Sequence, residues 1–474
     1  MRVEVGVRIL TLAGLAGSLN AGDRAPFKRS EGAGMRFNKS AGLTPSEELL
    51  AHLCDRSFLS LWSYPNLFRK PGKELCDLLV AFGDHVVVFS DKSCAYPDSG
   101  DASLDWSRWY RRSISGSARQ LRRAEGWLRT SPERVFLDAK CSKHLPIQLP
   151  PTERLQVHRI CIALGASARA KEETGTHSLT VSANDEGDTE HFTIGKITSA
   201  YGYVHVFDEN TLPIVLSELS TTADLLDYLR KKETLFQSGR FDVAESELDL
   251  LGYFLWHNRE FPDRGATRFR LDPNLWQQVE ADPHFLAARE ENKIAFFWDG
   301  LIKYLTELYM REELERGNKL AVDEYERVVR IMAAETRFSR RLLSKWILER
   351  ADRAKNGYLG SLFPSMQEDV LYVLLVGPGD GGMNHDNYRQ ARSKQLYGRC
   401  IAAKAALPDR RFIVGIALDA RGVKGRSEDF VYMDTDWWTD EAFEKAEQLR
   451  QEMGYFVEGR VQQQWVSEAE YPGT

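Results

Sequence analysis

The chain has 474 residues, a mass of 54.0 kDa and a formal net charge of −6 at pH 7. This length exceeds one ordinary domain, so we expect roughly two to four, and 43% hydrophobic with 28% charged residues is typical of a folded globular protein. A sequence pI near 6.0 argues against nucleic-acid binding through overall charge, so such a role would need a local basic face.

The cysteines and histidines give no metal-binding pattern. The six cysteines lie far apart, at Cys54, Cys76, Cys94, Cys141, Cys161 and Cys400, and none forms a C-x-x-C pair. We therefore expect reduced thiols in a cytoplasmic protein. The ten histidines show no Cys/His ligand grouping, so a structural zinc is not expected. Beyond the N-terminus no stretch is apolar for long enough to span a membrane, and we expect no membrane partner.

The first 34 residues are interpreted separately from the folded core. Arg2 and Arg8 precede an apolar stretch over 9–17, and small residues follow that stretch, as in a signal peptide. That stretch is short and only weakly apolar, and a polar segment follows it up to Gly34. We favour a disordered leader or a mis-annotated start over 1–34, with Met35 as the functional start; a secreted protein is the alternative.

A helix is predicted to begin at Thr44. Thr44 suits the N-cap, Pro45 the first turn, and Glu47 completes a capping box. Apolar residues then recur at helical spacing, namely Leu49, Leu50, Leu53 and Cys54. With Glu47 assigned to the cap, Glu48 is the acid of this turn that remains as a candidate metal ligand. The alternative is that Glu47 and Glu48 are both solvated acids of the first helical turn, favoured by the helix dipole.

Two short apolar runs, 78–82 and 86–89, follow and predict a β-hairpin. Gly83 and Asp84 between them suit a two-residue turn, which pairs Phe82 with His85. Counting back from the turn gives the further pairs Leu79–Val88, Asp77–Ser90 and Leu75–Lys92.

This register places Asp77, Ser90 and Lys92 on one face, because side chains alternate along a strand. Glu74 and Asp91 are left to other orientations. A bulge, or a slip of one residue, would bring Asp91 into the face and move Ser90 out.

The segment 105–134 is basic and aromatic, and a helix is predicted over 113–129. Its arginines include Arg108, Arg111, Arg112, Arg119 and Arg122, and its large aromatic residues are Trp106, Trp109, Tyr110 and Trp127. Arginines of this kind bind phosphates and aromatic rings stack on bases, so we predict a nucleic-acid surface. The alternative is a surface helix with paired charges and core tryptophans. Residues 135–138 are predicted to form the next core strand.

The rest of the chain shows no comparable constellation. We predict a first domain at 35–145 and an α+β continuation over 146–260 that completes its sheet. A helical region over 261–360 and a C-terminal α/β domain over 361–474 follow. Strands around 370–376 and 411–418, joined by a helix, form a β-α-β unit there. The glycine-rich loop at 377–382 lacks the lysine of a Walker loop, so nucleotide binding is not predicted.

The pattern of Glu74, Asp77 and Lys92 resembles the PD-(D/E)xK nuclease superfamily, in its nuclease-related-domain and Mrr-like branches, over about residues 44–120. The resemblance implies a mixed α/β fold with a restriction-endonuclease-like N-terminal core. It also implies phosphodiester cleavage of DNA or RNA with Mg²⁺ or Mn²⁺ as the cofactor.

The resemblance further implies roles for single residues. Asp77 would bind the metal, aided by Glu48 or Glu74, and Lys92 would assist the attacking water. Gln120 occupies the place of a polar residue that such nucleases carry on the helix behind the core strands.

Ser90 departs from the family pattern, because the family has a carboxylate two residues before the lysine. Asp91 is the reserve ligand if the second strand is bulged. Two functions therefore remain open: a divalent-metal-dependent nuclease, and a catalytically inactive nuclease-fold protein that binds nucleic acid or serves as a scaffold.

Overall fold

A computed structural model of the chain describes residues 8–11, 39, 42, 44–184, 187–199, 202–262, 268–314, 320–354, 357–423, 427–459 and 468–471. The chain forms two compact units, Asn38–Ala288 and Arg289–Thr474, the second of which also includes Met1–Phe37. The leader predicted over 1–34 lies outside the described residues except for a strand, β1, at Arg8–Thr11. No helix in the described part of the chain is long and apolar enough to cross a membrane.

The first unit is built around a six-stranded sheet. The strands of the whole unit, in chain order, are β2 (Ser63–Lys70), β3 (Lys73–Phe82), β4 (His85–Ser93), β5 (Gln156–Leu164), β6 (Thr180–Ser182), β7 (Thr193–Ile194), β8 (Thr198–Ser199), β9 (Gly202–Phe207) and β10 (Val243–Ala244). Its helices are α1 (Pro45–Phe58), α2 (Ala102–Thr130), α3 (Ser167–Thr174), α4 (Thr211–Glu218), α5 (Thr222–Gln237), α6 (Glu247–Trp256) and α7 (Leu275–Ala281); α8 (Pro283–Glu291) begins within it.

The strand order of the large sheet is β2-β3-β4-β5-β9-β8, and β10-β6-β7 form a separate small sheet. Strands β2, β3 and β4 form an antiparallel meander. Strand β5 is parallel to β4, and β9 is parallel to β5. Helix α2 supplies the long connection that a parallel pair requires. The segments predicted as 35–145 and 146–260 thus share one sheet, and the mixed α/β class is confirmed.

The predicted hairpin is present as the pair β3–β4. Gly83 has a φ of 62° in the turn, and the predicted pairs Phe82–His85 and Leu79–Val88 both form. The run Val86–Phe89 is buried along its whole length, because a central strand of this sheet is covered on both faces.

Two helices begin with side-chain caps. The Thr44 hydroxyl accepts the Glu47 N–H at 3.3 Å, which confirms the predicted start of α1. Helix α2 begins at Ala102, well before the predicted residue 113, because Asp101 caps it through the Leu104 N–H at 3.0 Å. Its first turns bury Trp106, Trp109 and Tyr110 in the core, as the alternative interpretation expected.

The edge strand β2 has no counterpart in the sequence prediction. Pro65 and Asn66 interrupt its apolar pattern, and proline is tolerated in a sheet mainly at an edge. Asn66 adopts a left-handed φ of 51°, and the ladder with β3 is irregular beyond Leu67. The prediction of a core strand at 135–138 was wrong: Phe136 makes only isolated bridges, to Phe68 and His144.

The second unit contains a five-stranded sheet of order β1-β14-β13-β12-β11. Its further strands are β11 (Leu359–Pro364), β12 (Val370–Gly377), β13 (Phe412–Asp419) and β14 (Asp429–Asp434), and its helices are α9 (Phe296–Met310), α10 (Val322–Ala333), α11 (Arg337–Arg353), α12 (His385–Ala406) and α13 (Asp440–Met453). Strands β12 and β13 are parallel and joined by α12, which confirms the predicted β-α-β unit. Its core is formed by buried residues of these elements, among them Leu371, Leu375, Leu396 and Cys400.

The conformation of Gly83 in the hairpin turn predicts how a substitution there changes stability. Gly83→Ala should lower the free energy of unfolding by about 1 kcal/mol, because a side chain is disfavoured at left-handed φ. Gly116→Ala is the matched control: Gly116 lies inside α2, where an added Cβ would meet only the Arg111 carbonyl oxygen at 3.7 Å. There alanine should raise stability by up to about 1 kcal/mol. Urea denaturation measures both, and equal effects of the two variants would contradict the turn geometry.

Candidate functional site

The candidate site lies where strands β3 and β4 separate. Their ladder ends at the pair Leu78–Phe89, so the predicted pairs Asp77–Ser90 and Leu75–Lys92 do not form. The Asp77 carboxylate fills the opening. Its Oδ2 accepts the backbone N–H of Asp91 at 2.5 Å.

Helix α2 holds the other oxygen of Asp77. The Gln120 Nε2 donates to Asp77 Oδ1 at 3.1 Å. Gln120 is thus turned toward the sheet. Asp77 is only 5% exposed and is fixed from two sides by a strand and a helix.

Asp91 is the second buried acid of the site. The residue is 8% exposed, and the Ser46 hydroxyl in the first turn of α1 acts to lower the pKa of its carboxyl, against the larger effect of burial. Its Oδ1 has no hydrogen-bond partner among the described residues. The neighbouring Ser90 Oγ is buried and likewise has no partner there. A partnerless buried carboxylate oxygen is the kind of atom that an external cation or proton would satisfy.

Glu47 is the acid of α1 whose charge acts on both aspartates. Its Oε2 accepts a hydrogen bond of 2.8 Å from Asn66 Nδ2, which connects the start of α1 to β2. Burial raises the pKa of Asp77 to about 6, and the negative charge of Glu47 adds to this rise. Burial also raises the pKa of Asp91, again with a contribution from Glu47.

Lys92 is the cation of the site. Its positive charge lowers the pKa of Asp77 and of Asp91, against the larger effect of burial. The side chain is half-buried, and its ammonium makes no hydrogen bond or ion pair within the described ranges. Glu47 and Lys92 thus each act electrostatically on Asp77 and on Asp91.

The structure places two of the predicted acids elsewhere. Glu48, the predicted metal ligand of α1, is exposed on that helix, and Glu74 is exposed near the start of β3, opposite Phe68. The sequence interpretation gave Glu47 to the helix cap. The backbone N–H of Glu47 does serve the cap, but its side chain reaches the site.

The predicted arginines lie along the solvent side of α2. The predicted arginines exposed there are Arg108, Arg111, Arg112, Arg119 and Arg122. Arg111 donates to Ser107 at 3.3 Å, and Arg108 stands near the carboxylate of Asp105. Arg112, Arg119 and Arg122 have no acidic partner in the part of the chain that the structure describes. These three unpaired guanidinium groups are available for the predicted contact with phosphates.

The donor atoms fit a hard divalent cation, since Mg²⁺ and Mn²⁺ prefer carboxylate oxygens. Among the residues with described positions, however, no three His, Cys, Asp or Glu side chains already form a group that could hold a metal ion. Asp77 and Asp91 are the two best-placed ligands. A metal at this site stays a prediction.

Three members of the site were absent from the sequence prediction: Ser46, Glu47 as a site acid, and Asn66. The serine and the glutamate lie beside the predicted cap and were interpretable only as cap residues. Asn66 gave no signal because its strand was not predicted.

Comparison with protein-family models, with curated proteins and with solved structures finds no match for this chain. The function must therefore be argued from the geometry of the site.

Burial of Asp77 makes stability depend on pH in a defined direction. A carboxyl whose pKa is raised from its usual 3.8 to about 6 on folding loses stability as the pH rises through that window. Asp77→Asn carries no charge and should escape this loss. Its free energy of unfolding, relative to the unsubstituted protein, should increase by about 1 kcal/mol between roughly pH 5 and pH 7.5. Denaturation at both pH values tests this, and an unchanged difference would contradict the raised pKa.

Proposed function

We propose that this protein is a divalent-metal-dependent nuclease that hydrolyses phosphodiester bonds of DNA or RNA. The observation that carries the proposal is the hydrogen bond from the Asp91 N–H to the buried Asp77 carboxylate where β3 and β4 separate, with Lys92 and Glu47 acting electrostatically on both aspartates. Carboxylates for a hard cation beside a lysine that no other residue holds are what metal-assisted phosphodiester hydrolysis requires.

The order of elements supports a restriction-endonuclease-like core. Helix α1 precedes the first core strand, β2, β3 and β4 follow as a meander, and α2 packs behind β3, β4 and β5. These are the positions in which the PD-(D/E)xK resemblance expects an acid-bearing helix, the acid and lysine strands, and the helix with a polar residue.

In this proposal Asp77 and Asp91 hold Mg²⁺ or Mn²⁺, with Glu47 as the acid nearest to assist. The ion, when bound, supplies a Lewis acid for the phosphoryl group and a more acidic water. Lys92 orients the attacking water or stabilises charge that develops on the phosphate. Gln120 keeps the Asp77 carboxylate turned toward the opening between the strands.

The raised pKa values support metal binding through linkage. Burial disfavours the ionised forms of Asp77 and Asp91, and a cation bound to them favours those forms. Metal affinity should therefore rise with pH through the range in which Asp77 titrates, about pH 6.

A second candidate function is a catalytically inactive nuclease-fold protein that binds nucleic acid. Ser90 stands at the family's acid position, and no complete metal-binding group is formed among the described residues. The unpaired Arg112, Arg119 and Arg122 would then provide salt-sensitive binding without turnover.

Cleavage assays test the first function. The purified full-length chain should nick supercoiled DNA or cut labelled RNA in Mg²⁺ or Mn²⁺, and EDTA should stop it. Asp77→Asn and Lys92→Ala should each slow cleavage on the order of 100-fold. Unchanged cleavage in both variants would sink the proposal.

The adjacent acids of α1 provide a matched pair for the same assay. Glu47→Gln should slow cleavage and weaken Mn²⁺ binding, because Glu47 acts on both aspartates. Glu48→Gln should leave both unchanged, because Glu48 is exposed on the helix. The reverse result would return the site role to Glu48.

A second matched pair asks which residue replaces the missing family acid. Asp91→Asn should reduce cleavage on the order of 100-fold, whereas Ser90→Ala should have little effect, because the Ser90 Oγ has no partner to lose among the described residues. Calorimetric titration with Mn²⁺ separates loss of the metal from loss of the chemistry. If Ser90→Ala abolishes cleavage and Asp91→Asn does not, Asp91 is not the replacement.

A further inference from the structure

Trp127, in the last turn of α2, is surrounded by cations. The guanidinium carbons of Arg69 and Arg134 lie 5.6 and 5.5 Å from its ring centroid, and the Lys70 Nζ lies 5.4 Å from it. Its indole N–H donates to the Arg134 carbonyl oxygen at 2.9 Å, which fixes the ring. An aromatic ring with three cations around it is attractive to groups that combine a π-face with negative charge.

Apart from their contacts with the Trp127 ring, the three cations form no ion pair in the described part of the chain. Arg69, Lys70 and Arg134 have no acidic partner and no side-chain hydrogen bond within the described ranges, and Lys73 faces Lys70 across the β2–β3 turn. By contrast, Arg129 in the same part of α2 is held by Glu125 at 2.7 Å. Four positive charges thus stand together at the surface, although the chain as a whole has a net charge of −6.

The ring is also placed differently from the other tryptophans of this part of the unit. Trp62, Trp106 and Trp109 are completely buried in the core, whereas Trp127 is only half-buried. The exposed part of the Trp127 side chain remains available for a contact.

The patch formed by Arg69, Lys70, Lys73, Trp127 and Arg134 lies next to the candidate site. Trp127 follows Gln120 by about two helical turns, so both point to nearly the same side of α2, about 10 Å apart along its axis. On β3, Lys73 precedes Asp77 by about 13 Å of extended strand. Both elements therefore lead from Asp77 to the patch, over a distance of about three stacked nucleotides.

We infer that this patch binds single-stranded nucleic acid, with a base stacked on Trp127 and phosphates bound by Arg69, Lys70 and Arg134. The inference rests on the proposed function, for which it names the substrate class. A single strand is favoured because the indole can stack only on a base whose face is free, and duplex bases are covered by their neighbours. An anion without bases would use the cations alone.

Binding is measured on the full-length chain in EDTA, so that cleavage does not enter. Fluorescence anisotropy follows a labelled single strand of about 12 nucleotides, of DNA and of RNA, and the corresponding duplex. The single strand should bind more tightly than the duplex. Trp127→Ala should weaken binding about 5- to 100-fold, and Trp127→Phe, which keeps a ring, should weaken it less.

Trp256→Ala is the matched control, since Trp256 is 49% exposed in the same unit and should leave affinity unchanged. Lys70→Ala and Arg134→Ala should each reduce the slope of log affinity against log salt by about 0.7, the value for one phosphate of a single strand. These surface variants also guard against a misfolded Trp127 variant.

Three results would overturn the inference. The first two are equal binding of duplex and single strand, and unchanged affinity in Trp127→Ala. The third is that polyphosphate displaces the strand equally well from Trp127→Ala and from the unsubstituted chain. The last would indicate a site for bare anions, such as an acidic peptide or a lipid surface. Single-strand binding that requires Trp127, without any cleavage in Mg²⁺, would support the patch and reject only the nuclease.

Discussion

The candidate site depends on one hydrogen bond, from the Asp91 N–H to the Asp77 carboxylate. Strands β3 and β4 part beyond Leu78–Phe89, so the Asp91 N–H has no ladder partner on β3, and a buried donor left unpaired is costly. A carboxylate can accept this bond and still has lone pairs for Gln120. The same bond fixes the Asp77 side chain to the backbone of β4 at Asp91.

The irregular edge strand β2 adapts to this opening. Its ladder with β3 runs from Pro65–Leu78 to Leu67–Cys76, so Asn66 falls opposite Asp77. Left-handed φ costs about 1 kcal/mol for most residues but less for asparagine, whose amide here holds Glu47. The buried Asn66 thereby fixes the start of α1 against the sheet and brings a third acid to the point where β3 and β4 separate.

Local signals in the sequence were sufficient for elements that local chemistry determines. Gly83-Asp84 predicted the turn and its register, and Thr44 predicted the start of α1, because turn and cap preferences act over a few residues. The pairing of Asp77 with Ser90 failed because alternation assumes a ladder that continues, whereas tertiary contacts end it at Leu78. The contact of Glu47 with Asn66 was not predicted for a similar reason. It depends on β2, and the proline and asparagine of that strand interrupt the apolar pattern by which a strand is predicted.

Two other buried charge pairs of the first unit are neutralised within the protein. Glu125 on α2 pairs with Arg159 on β5 at 2.6 Å, and Lys232 pairs with Glu247 at 2.5 Å, both almost fully buried. Asp77 and Asp91 have no such partner among the described residues, since Lys92 acts on them only at longer range. A buried carboxylate without a cation is unfavourable. Asp208 and Asp249 of this unit are also buried without a cation in the described part of the chain, but backbone N–H groups hold their carboxylates. Asp91 differs from them because one of its buried carboxylate oxygens has no partner among the described residues, which is what a site for an external cation would leave.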